Sequence, residues 1–370
     1  MRISVPTETA PREQRVALAP DSAARLIKSG QEVVVQRGAG LRAGFRDDAY
    51  TAAGAKIAGD ARATLADARV VAKVQPPSDA EIALLASGTL LVSLMRPGTH
   101  AAAAAKLAER GVEALALELV PRITRAQSMD VLSSQSTVAG YKAVLLGAAE
   151  LGKFLPMLTT AAGNISPARV FIIGAGVAGL QAIATARRLG GVVSAFDVRP
   201  AAREQVQSLG ASFVASDVVS ASAEAAGGYA RAQTEDEQQR TLQTIAGHIR
   251  GVDLVITTAQ IPGRAAPRLI TAEMVRSMRA GAVIVDLAVE TGGNCELARP
   301  GETVHADDVT ILGPVNLPST VPFHASQMFG RNVLALLQHL IAKDGTLTID
   351  PADEITGAML LTHDGRVVKP

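Results

Sequence analysis

Short apolar runs recur along the first part of the chain: RISV, EVVVQ, RVVAKV, TLLVSL and VEALAL. They alternate with helix-like segments such as Asp21 to Lys28 and Thr99 to Arg110. Uninterrupted apolar runs of this length, spaced by helical segments, predict an α/β domain with a mostly parallel sheet. Pro20-Asp21 and Pro77-Ser78-Asp79 mark helix starts, and Gly30 and Gly111 mark helix ends. Leu117 to Gln135 (LELVPRITRAQSMDVLSSQ) breaks the pattern. It has no period and carries Arg122, Arg125, Gln127 and Asp130 close together, so it reads as a polar loop. Ser136 to Leu151 is helical in spacing and long enough to carry the chain into a second domain. There a new series of apolar runs begins at Arg169 and continues through SFVA (from Ser212), Val252–Thr257, Ala282–Leu287 and Val309–Leu312. The stretch between Ser212 and Val252 passes through Gly227-Gly228-Tyr229 to TEDEQQR, and a segment of that length reads as a functional lid. Gln327 to Ala342 is amphipathic and crosses back, leaving Thr346 to Pro370 as a strand-and-turn tail. The expected division is an N-terminal α/β domain at 1–135, a nucleotide domain at 136–325, and a crossover helix and tail at 326–370.

The most informative stretch is RVFIIGAGVAGLQAIATARRLGGVVSAFDVR, Arg169 to Arg199. Its apolar run stops at a glycine-rich turn, an Ala-rich helix follows, and a second apolar run ends in Asp197. Gly174 permits the tight turn. Gly176, flanked by Ala175 and Val177, lets backbone amides approach a pyrophosphate at the helix N-terminus, and Gly179 lets the helix lie close on the sheet. Asp197 follows 18 residues after Gly179, where a carboxylate accepts from both hydroxyls of an adenine ribose. A 2'-phosphate would be repelled there, so the pattern favours NAD(H) over NADP(H).

Composition narrows the partners. Among 370 residues, 36 are basic and 35 acidic, for a net charge of +1, which leaves no electrostatic footprint for nucleic acid or anionic lipid. Only 3% are aromatic, with no Trp, so base-stacking platforms are not expected. A single cysteine, Cys295, excludes a disulfide framework and fits a reducing compartment, and scattered histidines suggest no metal site. No secretory signal opens the chain, and the longest uncharged stretch is broken by Pro314, Pro318 and Pro322, so direct membrane insertion is not expected.

With EQRVALAP, PRITRAQSMDVLSSQ, GAGVAGLQAIATARRLG, FDVRP, GGYA, TTAQIPGRAAPRLI, VDLAVETGGNCE and DEITGAMLLTHDG in order, the chain resembles a known family. It is similar to the soluble NAD(H)-binding alpha component of the proton-translocating, Re/Si-specific NAD(P) transhydrogenases, which are related to alanine dehydrogenase. The resemblance implies two Rossmann-like domains joined by long linking helices, with the cofactor in the interdomain cleft. It implies direct hydride transfer between NAD(H) here and NADP(H) on a partner subunit, coupled to proton translocation by membrane-spanning channel subunits. It also implies a homodimer, held peripherally on the cytoplasmic face of the inner membrane through those partners.

By the same resemblance, Arg122, Gln127, Asp130 and Ser133 form the loop that holds the nicotinamide end, with Ile123, Thr124, Ser128 and Met129 beside them and Tyr141 near on the linking helix. Gly174 to Gly179 hold pyrophosphate, Asp197, Val198 and Arg199 hold adenosine, and Gly228 and Tyr229 lie in a mobile loop over the nucleotide. Gln260 stands at the rim, where the family usually has an apolar residue. The chemistry agrees with this reading: hydride passing from one nicotinamide C4 to another needs positioning and water exclusion, not a general acid or base.

Two rivals stay open. An alanine-type amino-acid dehydrogenase is suggested by Arg15 and Lys73, which match that family's substrate-binding cations. Against it, MRPGTH follows LLVSL with no histidine at the matched position, and His100 comes too late. Arg15 and Lys73 then read as inherited residues, paired with Glu118 or contacting phosphates. The other rival is a non-catalytic NAD-binding module, for which the Arg122/Gln127/Asp130 cluster would be superfluous.

Overall fold

The computed structural model describes residues 1–214, 231, 233–260 and 264–369. The chain divides into two compact units, one of Met1–Gln135 with Pro318–Pro370 and one of Ser136–Leu317. In chain order the strands are β1 (Arg2–Val5), β2 (Glu32–Gln36), β3 (Lys56–Ala58), β4 (Val70–Ala72), β5 (Leu90–Ser93), β6 (Glu113–Ala116), β7 (Leu158–Thr160), β8 (Gly163–Ile165) and β9 (Arg169–Ile173). These are followed by β10 (Val192–Phe196), β11 (Ser212–Phe213), β12 (Leu254–Thr257), β13 (Val283–Asp286), β14 (Thr303–Ala306), β15 (Val309–Leu312), β16 (Leu360–His363) and β17 (Arg366–Val367).

The first unit holds the sheet β17-β16-β6-β5-β4-β1-β2-β3, in which β1 to β6 run parallel and the C-terminal hairpin β16–β17 closes one edge antiparallel. The second holds β11-β10-β9-β12-β13-β15-β14, parallel except for β14. Neighbouring residues of one strand feed opposite cores. Val170 and Ile172 of β9 pack on one face of the second sheet, Phe171 and Ile173 on the other. In the first sheet Val70 and Ala72 face one core and Val71 the other. A strand buried on both sides needs an unbroken apolar run, which is why these strands stand out in the sequence.

Three boundaries depart from the sequence reading. The segment Leu117 to Gln135 is not an irregular loop: it forms 3-10 turns at Leu117–Leu119 and Thr124–Met129, and a helix already begins at Val131 and runs to Glu150. Asp130 starts that helix, its carboxylate accepting from the Ser133 amide at 2.9 Å and the Ser133 hydroxyl at 2.6 Å. The TEDEQQR stretch opens a helix, Glu235–Ile249, because Thr234 and Glu237 form a reciprocal capping box. The crossover helix starts at Pro322 and ends at Leu340, with proline in its first turn, where a missing N–H costs nothing. Gly228 and Tyr229 lie outside the described residues.

At two glycines the helix Val131–Glu150 packs closely, on the helix Val177–Arg188 at Gly140 and on the second sheet at Gly147. A Cβ on Gly140 would stand 2.1 Å from the Ala178 carbonyl oxygen, and one on Gly147 would stand 2.4 Å from the Leu254 side chain. A larger residue at 140 would push against the helix Val177–Arg188 and one at 147 against β12; Tyr141, beside Gly140, is exposed.

Candidate functional site

In the second unit β9 ends at Ile173 and the chain turns sharply through Gly174, whose φ of +95° is the left-handed region that favours glycine. A Cβ there would also meet the Thr258 hydroxyl at 2.8 Å. At Gly179 a Cβ would fall 1.8 Å from the Gly174 carbonyl oxygen, so the helix packs directly on its own turn. Gly176 differs from both: among the described residues a Cβ would meet nothing within 4 Å. Two of the three glycines are demanded by the protein's own packing, and the third borders open space. Gly176 is also the N-cap of Val177–Arg188 and has no side chain to satisfy the first-turn amides. A helix start with donors facing an open cradle suits a phosphate group.

Asp197, one residue past β10, is 6% exposed. Its Oδ2 accepts from the Ala175 amide at 2.7 Å, and its Oδ1 from the Arg199 amide at 2.9 Å. The Arg199 guanidinium donates to both oxygens, Nε to Oδ1 at 2.9 Å and Nη2 to Oδ2 at 2.8 Å. The Ala175 amide, expected among the pyrophosphate donors, is directed at Asp197 in this structure. Val198 is half-buried against the neighbouring core. Gln260 is exposed, and its side-chain amide donates to the Leu287 carbonyl at 3.1 Å.

The sequence reading missed the residues that brace this rim. Thr258 donates to the Gly174 carbonyl at 2.9 Å, tying the loop after β12 to the turn. Buried Asn294 accepts from the Ala259 amide at 3.0 Å and donates to the Ala259 and Pro267 carbonyls at 2.9 and 2.8 Å. Buried Asp286 accepts from Thr257, Ala288 and Cys295, each at 2.9 Å, while burial pushes its carboxyl up. The available signal was GGN in VDLAVETGGNCE, where Gly292 and Gly293 both have positive φ.

In the first unit the expected nicotinamide loop divides by burial. Ala126 and Met129 are buried in the core, and Ile123 packs against it. Met129 is thus an anchor of the loop. Arg122, Thr124, Gln127 and Ser128 are exposed. The loop is pinned from the returning chain: Asn332 donates to the Ser128 carbonyl at 2.8 Å, and Arg125 to Asp353 at 3.1 Å. Asp130 and Ser133 are half-buried and bonded to each other at the helix start, which gives both a structural duty. The glycine-rich turn, Tyr141 and Gln260 belong to the second unit; Arg122 to Ser133 belong to the first.

Arg15 and Lys73 are both buried and both engaged. Arg15 donates to Glu13 at 2.8 and 2.7 Å and to Gln135 at 2.8 Å. Lys73 donates to Glu81 at 2.5 Å and lies 3.5 Å from Glu8. The expected Glu118 pairing does not form: that carboxylate accepts from the amides of Met95 and Arg96. Burial raises the Glu13 carboxyl, but hydrogen bonding and charge from Arg15 outweigh it and bring it down to about 2. A depressed folded-state pKa stabilises above the unfolded value and loses that contribution as pH falls towards the folded one. Between about pH 4.5 and pH 2, Glu13 should therefore cost the chain up to about 3 kcal/mol. Urea unfolding at stepped pH should give a shallower acid limb for Glu13→Gln than for the unmodified chain, and identical slopes would remove Glu13 from that limb.

Two doubly wound sheets, one with a glycine-turn helix start and an acidic residue at the next strand end, place the chain among the two-domain Rossmann-like α/β proteins. Comparison with known proteins narrows this. The family models "Alanine dehydrogenase/PNT, N-terminal domain" and "Alanine dehydrogenase/PNT, C-terminal domain" match residues 4–139 and 143–370. An NAD(P) transhydrogenase subunit alpha chain of Rhodospirillum rubrum is 47% identical over 377 residues, covering 100% of this chain and 98% of that one. A solved transhydrogenase from Sinorhizobium meliloti is 44% identical, with both chains covered in full and a TM-score of 0.90. The alanine dehydrogenase of Halomonas elongata is more distant, 31% identical over 383 residues, covering 99% of this chain and 94% of that one. The chain belongs to the alanine dehydrogenase/PNT family, and it is more similar to these transhydrogenase chains than to that alanine dehydrogenase. Among the described residues no helix is long and apolar enough to cross a membrane.

Proposed function

We propose that this chain is the NAD(H)-binding subunit of a proton-translocating transhydrogenase and exchanges hydride with NADP(H) held by a partner subunit. The observation that carries the reading is the open cradle at Gly176, set between two glycines the protein needs for its own packing. When bound, NAD(H) supplies or accepts the hydride at nicotinamide C4. The first-turn amides after Gly176 hold the pyrophosphate, and Asp197 takes the adenine ribose. The carboxylate repels a 2'-phosphate, so this subunit keeps to NAD(H). Arg122, Gln127, Asp130 and Ser133 fix the nicotinamide end, with no metal in the step. Asp130 and Ser133 do so through their mutual bonds at the helix start, while Arg122 and Gln127 are exposed on the same segment. Proton coupling belongs to membrane-spanning subunits, to which this chain attaches as a homodimer on the cytoplasmic face.

The test is reconstitution with an NADP(H)-binding partner. Adding the partner to the NADH-loaded chain should start single-turnover hydride exchange, and binding without exchange would reduce the chain to a nucleotide-binding module. Gln127→Asn keeps the amide but shortens its reach by one methylene, so its effect belongs to transition-state geometry more than to affinity. Hydride transfer should fall about tenfold or more, with NADH affinity changed less than about threefold. Equal losses in both would make Gln127 an ordinary binding residue.

A further inference from the structure

We propose that Arg199 is a built-in competitor for the ribose site: its guanidinium occupies the Asp197 carboxylate in the free chain, and an adenine ribose binds only by displacing it. The inference rests on reading Asp197 as the ribose acceptor.

An ionised carboxylate has about four acceptor positions, and Asp197 uses four. Its Oδ1 takes the Arg199 amide and Nε; its Oδ2 takes the Ala175 amide and the Arg199 Nη2. The two backbone donors are held by the turn after β9 and by the chain leaving β10, so they cannot leave without unmaking the turn. The two side-chain donors can. A ribose diol brings two hydroxyls, which matches the number of replaceable bonds. The arginine also has a way out, because its side chain is 18% exposed while that of Asp197 is 6% exposed. Displacement draws the guanidinium off the carboxylate and leaves the carboxylate in place. The bond broken is charge-assisted and partly shielded, stronger than a surface ion pair, and each binding event must replace it. Arg199 thus lowers affinity for any nucleotide that uses the diol and leaves untouched one that cannot.

This separates Arg199 from an ordinary phosphate-binding cation, whose removal would weaken every nucleotide. The experiment is calorimetric titration of the unmodified chain, Arg199→Met and Arg199→Gln with NADH, ADP and 2',3'-dideoxy-ADP, with circular dichroism to confirm folding. Both variants should bind NADH and ADP more tightly, by roughly three- to tenfold, with the dideoxy analogue changed less than about twofold. Arg199→Lys has one ammonium in place of the planar fork and should fall between. Weaker or unchanged NADH and ADP binding in the variants overturns the proposal, as does equal tightening of the dideoxy analogue. If the unmodified chain fails to bind NADH, or binds ADP and dideoxy-ADP alike, the ribose role of Asp197 itself is wrong, a result distinct from a diol preference that is present but insensitive to Arg199.

Discussion

Lys73→Met should cost the first unit about 3–5 kcal/mol of stability, because it strands buried carboxylates without their counter-charge. The Lys73 side chain is 2% exposed, with Glu81 at 2.5 Å and Glu8 at 3.5 Å, and those side chains are 8% and 4% exposed. Glu81 is also half of a capping box with Ser78 at the start of the helix Asp79–Ile82, and Glu8 accepts from the amides of Val74 at 2.5 Å and Gln75 at 3.3 Å. Neither carboxylate can swing to water without giving up backbone bonds. Burial already pushes the Glu8 carboxyl up, with Lys73 the main opposing influence. Without the ammonium its proton affinity rises further, so the deficit should shrink as pH falls and Glu8 takes up a proton. Urea unfolding at neutral pH measures the loss. Combining Lys73→Met with Glu8→Gln and Glu81→Gln should recover much of it, since methionine fills a similar volume and the amides need no counter-ion. A single-variant loss under about 1 kcal/mol would mean that water reaches the cluster.

The glycine-rich turn was readable because everything that defines it is local. Three glycines, one helix and one acidic residue sit within a single strand–helix–strand unit, and each of β9, β10, β12 and β13 is an apolar run. Elements without that double burial were silent. The β7–β8 hairpin exposes Ile165, with Phe154 and Met157 exposed just before it, and carries no core period. The three-residue edge strand β3 begins with exposed Lys56. The helix start at Asp130 was hidden by its second meaning. One Asp-x-x-Ser pattern serves equally as a cap and as a functional pair, and only the bonds to Ser133 bring out the cap. Partners far apart in sequence were equally out of reach. Arg15 finds Gln135 across 120 positions, and Ser128 is held by Asn332 across 204. Such pairings follow from topology, not from spacing.

Gly176→Val should keep the fold and lose NADH. The backbone at Gly176 has φ −76° and ψ −167°, an extended conformation that valine adopts readily, and its Cβ would meet no atom of the described residues within 4 Å. No described residue lies within 4 Å of that Cβ, so circular dichroism and the unfolding midpoint should stay close to those of the unmodified protein. The space it fills is where a pyrophosphate would approach the first-turn amides. Losing two charge-assisted hydrogen bonds there should weaken NADH by about 100-fold or more. Gly179→Ala is the counterpart. Its methyl would fall 1.8 Å from the Gly174 carbonyl oxygen, so turn and helix must separate and the stability of the second unit should drop, carrying binding with it. The two variants separate ligand space from packing space within one motif: the first changes affinity at constant stability, and the second changes both. Unaltered folding with unaltered NADH affinity in Gly176→Val would remove the pyrophosphate from this turn.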